Sequence, residues 1–461
     1  MAFFLTPYLT EYDETLSADT YIDPIGTLII WSTFGRQVFK NRVNSISNDV
    51  RNYTLNLFHH FLVRKLVADD AVQLSSSLQQ KYGNKDALAF KQACLILLEN
   101  LFVYSVLRHE NLKDVKTAGV LGISKARRRW DQDEGDPVIV FTHETAGQIL
   151  VRQLGLGVSG RYKTPLVEIG FFDSGYQYFR PAFQSRWSDA AAFVTGNSND
   201  VLAKIEREAY AFLKAQLPKL RHKGALRFRI DVPEKLTKAY ALAFSSPAAV
   251  GAYARQFWLR QTELDSGAAG ALMKVLEAES GEALSSRRVV EKALKEDLQP
   301  LEKAKLDHII KVEPFLSDCA LLFTLMTRER KQSVGAVAVL WESFGRDGNR
   351  LPGLAQELTA IINLPALRGS EAGRRFSRLQ QVAKAGDFES QVRALVKYHS
   401  DVMQARGQPV WLSIDNGGSI TVHSRTATLV EPGTRRPGAW YNDYYVPQFR
   451  SLVKGLQGVG T

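Results

Sequence analysis

The chain has 461 residues, 45% of them apolar and 23% charged, a balance that belongs to a folded protein and excludes wholesale disorder. Its net charge is +11, and the surplus falls in two blocks, with 20 basic against 13 acidic residues over 101–230 and 13 against 7 over 361–461. Such blocks suit a polyanionic partner, while two lone cysteines, Cys94 and Cys319, exclude a disulfide framework and a cysteine zinc motif.

Residues 1–22 read as an extended arm, without the basic start and cleavage site of a signal peptide. Asp23-Pro24 then starts a helix, with Asp as N-cap and Pro in the first turn, and Leu28, Ile29, Trp31 and Phe34 follow. A second helix begins near Ser47. Ile46, Val50, Tyr53, Leu57 and Phe61 form its apolar stripe, and Arg51, Asn52, Asn56, His59, His60, Arg64 and Lys65 its other face. A third helix, over 86–107, is apolar almost all round and central to a helical core. It carries Cys94, and Cys319 lies in a similar run, so both thiols are expected to be buried and inert. No run approaches the roughly 18 apolar residues of a membrane span.

Residues 111–137 read as an irregular charged connection. Within it Lys125, Arg127, Arg128 and Arg129 make a basic knot closed by Trp130, a composition that pairs with phosphates and stacks a base. Asp131, Asp133, Glu134 and Asp136 follow directly and can neutralise the knot. Residues 138–142 read as a strand or as the lead into a helix over 143–154. Gly155, Gly157 and Gly160 spell G-x-G-x-x-G, but a dinucleotide loop must follow a strand and open a long helix, and neither condition is met here. The glycines are read instead as a turn between two helices. Ser159 would cap a short basic helix over 160–169, with Arg161, Tyr162, Lys163 and Thr164 in its first turns. Phe171, Phe172, Tyr176, Tyr178 and Phe179 would then form a hairpin around Ser174-Gly175. This order resembles the winged-helix superfamily, which implies a three-helix module with a two-stranded wing over 115–185 and a nucleic-acid contact at residues 161–164.

From 188 to about 405 the pattern is mostly helical, broken by glycines and prolines. Arg374, Arg375 and Arg378 share a helix face. Residues 410–424 are the clearest hairpin, two alternating strands around Asn416-Gly417-Gly418. Arg435 and Arg436 precede Trp440, Tyr441, Tyr444 and Tyr445, where they can grip a nucleic-acid backbone or lie beside aromatics that dock a C-terminal helix. No paired histidine ligands, phosphate-binding P-loop or serine-hydrolase elbow occurs, so no metal, cofactor or catalytic residue is expected and the balance leans away from an enzyme.

The expected architecture is mainly α-helical and multidomain, with a winged-helix-like middle segment and a small C-terminal β-hairpin. The segments are 1–110, 111–187, 188–365 and a basic 366–461. The expected function is a cytoplasmic, non-enzymatic nucleic-acid-binding component, with DNA the first candidate and no membrane partner. It would belong with other protein subunits in a larger assembly, such as mobile-element or phage-defence machinery. The alternatives are an interaction scaffold whose winged helix is structural, and a nuclease or hydrolase with scattered carboxylates.

Overall fold

The computed structural model describes residues 23–45, 47–196, 200–221, 224–428 and 431–459. The expected arm at 1–22 and the stripe residue Ile46 lie outside them. Among the described residues the fold is mainly helical, with 21 α-helices against five strands of three or four residues. In chain order the labelled elements are α1 (Thr27–Val38), α2 (Val50–Ala68), α3 (Ser76–Tyr82), α4 (Leu88–Arg108), α5 (Ile123–Gln132), β1 (Val138–Val140), β2 (Ala225–Arg227), β3 (Lys331–Ser333), β4 (Leu412–Ile414) and β5 (Ser419–Val422). Two compact units are formed. The first joins Met1–Lys40 to Ser266–Pro447, and the second joins Asn41–Asp265 to Gln448–Thr461. These units do not follow the four consecutive segments read from the sequence, because packing joins stretches far apart in the chain.

In the first unit the long helix Pro300–Met326 is central and packs against α1. Helix α1 starts later than expected, at Thr27 after a left-handed Gly26, yet Asp23 still caps it by accepting the Leu28 amide at 2.8 Å. Glu313, in the middle of the long helix, is fully buried. Its carboxylate accepts the amides of Tyr441 (2.6 Å) and Asn442 (2.9 Å), the Asn442 side-chain amide (2.9 Å) and the Tyr444 hydroxyl (2.7 Å). The irregular stretch 439–445 is thereby held on the core, where Tyr444 and Tyr445 pack on Trp31. The expected hairpin is present as β4 and β5, and β3 joins the far side of β5 in an antiparallel sheet of order β3-β5-β4.

The second unit is built around α2 and α4. Helix α4 matches the apolar helix expected at 86–107, with every residue from Ala93 to Leu107 buried. Contrary to the sequence reading, it is long and apolar enough to cross a membrane, because Glu99 and Asn100 interrupt the run without lowering its mean hydropathy sufficiently; 94% of that window is buried inside the protein. Helix α2 also departs from expectation. Arg51, Asn52, Asn56, His59 and His60, read as a polar face, are all buried, because α4 and the helices 158–161, 184–195, 200–216 and 247–262 all pack around it.

The segment read as a winged helix is built differently. No helix forms over 143–154, only a 3-10 turn at Thr145–Gly147. Side chains take the backbone bonds that a helix would have used: Gln153 Oε1 accepts the Ile149 amide (2.8 Å), Gln148 Oε1 accepts the Gln153 amide (2.8 Å), and Asn100 donates to the Gly147 carbonyl (2.7 Å). Three short helices follow, Gln153–Leu156, Val158–Arg161 and Lys163–Ile169. Among the described residues no strand runs through 171–180. Phe172, Tyr176 and Tyr178 are buried around the His60 ring, with Phe172 at 4.1 Å between centroids and the Tyr178 hydroxyl 2.8 Å from His60 Nδ1. Burial against α2 thus replaces the expected wing. Strand β1 pairs instead with β2, antiparallel, in a stretch read as helical.

The glycine motif does cradle a carboxyl group, and that group belongs to the protein. Glu99 of α4 accepts the Ser159 amide at 2.5 Å and the Gln153 side-chain amide at 3.0 Å. A Cβ on Gly157 would lie 2.2 Å from the Glu99 carboxylate, and one on Gly160 would strike the backbone of Gly155 at 2.4 Å. The loop therefore needs glycine at both positions.

Two expectations follow. Burial pushes the Glu99 and Glu313 carboxyls up to about 7, against hydrogen bonds that pull them down. Each folded-state value lies above the unfolded one, so the contribution is fully present below about pH 4.5 and lost as pH rises through about 7, on the order of 3 kcal/mol per carboxyl. Urea denaturation of the parent and of Glu99→Gln/Glu313→Gln across pH 4.5–7.5 is expected to show a flatter profile for the variant; parallel profiles would contradict it. Cys94 and Cys319 are buried, and burial also raises both thiols above their ordinary range. A thiol reagent is expected to leave the native protein unlabelled and to titrate both thiols after denaturation.

Candidate nucleic-acid interface

Helix α5 occupies a stretch that the sequence pattern left irregular. The loop before it is held from inside the second unit by Arg51, which donates to the carbonyls of Lys116 (2.9 Å) and Ala118 (2.5 Å) and pairs with Asp49 at 3.3 Å. Gly122, left-handed at φ 81°, then opens the helix. Ile123, Ala126, Arg127 and Trp130 recur at helical spacing on the inner face, and only Ala126 is fully buried. Trp130 stacks on Tyr104 of α4 (6.3 Å, 26°) and meets Phe228 edge-on at 5.8 Å. Arg127 forks onto Glu110 with bonds of 2.8 and 2.5 Å.

Lys125, Arg128 and Arg129 lie three and four residues apart, on the outer face of α5. All three are exposed, and none has a carboxylate partner among the described residues. Arg129 lies close enough to the Tyr104 phenol to oppose the upward shift that burial gives it. Arg229 adds a fourth cation, its guanidinium 5.8 Å from the Trp130 ring centroid. Gly135, at φ 78°, makes room for that guanidinium, which a Cβ there would meet at 2.4 Å. Beside these cations Val138 and Ile230 are 53% and 68% exposed. The acidic run after α5 is only partly engaged. Asp136 pairs with Arg227 at 2.7 Å and accepts the Arg229 amide at 2.7 Å, while Asp131, Asp133 and Glu134 remain exposed.

The other candidate residues are scattered. Residues 161–164 do not share a helix start, because Tyr162 ends one short helix and precedes the next. Tyr162 is buried, T-stacked on Tyr53 at 5.0 Å, with its hydroxyl accepting the Asp49 amide at 3.3 Å. Lys163 donates to the Ser174 carbonyl at 2.7 Å and covers the Tyr176 ring. Arg161 is partly buried and Thr164 exposed. In the first unit Arg374 and Arg375 pair with Glu371, and Arg378 pairs with Asp401. Arg435 is packed inward, donating to the Ser317 carbonyl at 3.0 Å and lying over Tyr441, whereas its neighbour Arg436 is exposed. Trp130 is half-buried, with Tyr104 stacked on its ring and the Arg229 guanidinium beside it.

The division of charge is sharper than the sequence blocks suggested. The second unit holds 33 Lys and Arg against 22 Asp and Glu, and the first holds 26 against 26. Of the surplus of six read over 361–461, two charges (Arg450 and Lys454) belong to the second unit, and the other four are cancelled by acidic residues elsewhere in the first unit. Sequence reasoning missed Arg229, which meets Trp130 because the β1–β2 pairing and Phe228 bring that stretch to α5, and it did not single out the exposed Val138 and Ile230. The spacing of Ile123, Ala126 and Trp130 was the available signal for the helix. Among the described residues no cluster of three His, Cys, Asp or Glu side chains can hold a metal ion. No family model matches the chain, nor does any curated protein or solved structure.

Because Trp130 anchors α5 rather than facing solvent, Trp130→Ala is expected to lower unfolding stability by about 2 kcal/mol, less than the roughly 3–5 of a fully buried ring. Denaturant unfolding checks this; an unchanged midpoint would free the indole for another role.

Proposed function

We propose that this protein binds nucleic acid through its phosphate backbone, using the outer face of α5, and that it acts as a non-catalytic component beside other subunits. The observation that carries the reading is the row of Lys125, Arg128 and Arg129, exposed on one helix face and without a carboxylate partner among the described residues, in the unit that holds the whole +11 surplus. Phosphate contacts position a protein without reading sequence. The only ring on α5, Trp130, is half-buried against Tyr104 and Phe228, which fits that mode. The reading does not depend on a wing, and DNA is its first substrate because a duplex presents the denser phosphate charge. A second reading, a surface for a protein partner, is favoured by the exposed Val138 and Ile230 beside the cations.

The test is a salt titration of binding to a short random-sequence duplex, followed by fluorescence anisotropy. Log K is expected to fall linearly with log salt concentration, and Lys125→Ala/Arg128→Ala/Arg129→Ala to reduce the slope by about one unit per residue. Arg374→Ala/Arg378→Ala, in the neutral unit, is expected to leave the slope unchanged. Unaltered affinity and slope in the α5 variant would remove this helix from the interface. A parent protein that binds neither DNA nor RNA at low salt would transfer the case to the protein-partner reading.

A further inference from the structure

The second unit also contains a cleft of about 610 Å³, within the size range of small-molecule sites. One wall is α3, through Leu78 and Lys81, and the other is the end of β1, through Val140 and Phe141. The β1 wall is rigid for a structural reason. The Phe141 amide donates to the Gly224 carbonyl at 2.8 Å, extending the β1–β2 ladder, and a Cβ on Gly224 would lie 2.9 Å from the Phe141 carbonyl oxygen. Polar groups are set into the same wall. Thr142, 3% exposed, accepts from Lys81 Nζ at 2.9 Å and from the Glu144 amide at 3.2 Å. Lys81 also pairs with Glu144 at 3.2 Å, so these two charges neutralise each other.

That leaves Arg221. It lines the cleft, is exposed, and has no ion-pair partner among the described residues. A guanidinium in this setting presents a planar fork that matches an oxyanion with two parallel bonds. Val140 and Ala146 offer apolar surface beside it, backed by the buried Leu78 and Phe141. We propose that this cleft binds a small molecule that carries a carboxylate or phosphate group on an apolar body, with the oxyanion on Arg221 and the body between α3 and β1. The site is independent of α5 and of the nucleic-acid reading, since none of the α5 residues lines it.

The probes are phenyl phosphate and phenylacetate, titrated calorimetrically into the full-length protein, with inorganic phosphate as a third arm. Saturable binding of one equivalent of either aromatic probe is expected, and whichever binds more tightly assigns the oxyanion. Arg221→Ala is expected to weaken binding at least about tenfold, the loss of a charge-assisted bidentate contact. Ala146→Trp, at an exposed lining position, is expected to abolish it by filling the cleft. The α5 triple variant is expected to bind the probes as the parent does, which separates this outcome from failure of the nucleic-acid reading. Thermal melts of each variant verify that it is folded. Absence of saturable binding by both aromatic probes overturns the proposal, as does binding that survives either Arg221→Ala or Ala146→Trp. Inorganic phosphate binding as tightly as phenyl phosphate overturns the role given to the apolar wall.

Discussion

A buried carboxyl group in the middle of a long helix organises each unit. Irregular backbone that packs into a protein interior must find partners for its amides, or it forfeits much of what burial gains. Here Glu99 of α4 takes an amide of the glycine-rich turn, and Glu313 of the helix Pro300–Met326 takes two amides of the stretch before the C-terminal helix. Each carboxylate also collects side-chain donors, from Gln153 in one unit and from Asn442 and Tyr444 in the other. The arrangement lets chain with little regular structure lie against a helix whose buried side is mainly apolar. Removing either carboxylate would leave several donors buried without acceptors, so the loss would extend well beyond one bond.

What could be read in the sequence was what is specified locally. The hairpin of β4 and β5 is written in its Asn-Gly-Gly turn and alternating strands, and α4 in an apolar pattern that only Glu99 and Asn100 break in its central part. Burial of α2 on every side could not be read, because Asn52, Asn56 and His59 look like a solvated face until the surrounding helices are known. The wing failed for a related reason. Five aromatics around Ser174-Gly175 fit a ribbon, but most of those rings are buried, several of them around His60, which is distant in sequence. The pairing of β1 with β2 involves strands of three residues each, too short to leave a period-two signature.

The candidate site was legible in composition and illegible in geometry. Lys125, Arg128 and Arg129 stood out as a cluster, but their common face required α5 to be a helix, and Arg127 had to leave the cluster for Glu110. Charge blocks counted along the chain also mislead when units are assembled from separate segments. The arginines of the C-terminal region are matched by carboxylates on the same helix, such as Glu371, or on a neighbouring one, such as Asp401. A neutral unit and a strongly basic one emerge only when residues are grouped by packing.

The discontinuous first unit has a consequence for biosynthesis. Ser32 of α1 bonds to the Tyr445 hydroxyl, a partner 413 positions further along the chain. At translation rates of about 5–20 residues per second, α1 leaves the ribosome roughly 20–80 s before that partner exists. Throughout that interval Trp31 lacks the Tyr445 ring it finally packs against, and Phe34 lacks Phe376 for most of it, while most of the second unit, Asn41–Asp265, is made in one stretch. The nascent chain therefore carries an unfinished apolar helix until its partners emerge, the kind of exposed surface that invites misassociation during synthesis. Early release by truncation anywhere before Tyr445 would strand it permanently.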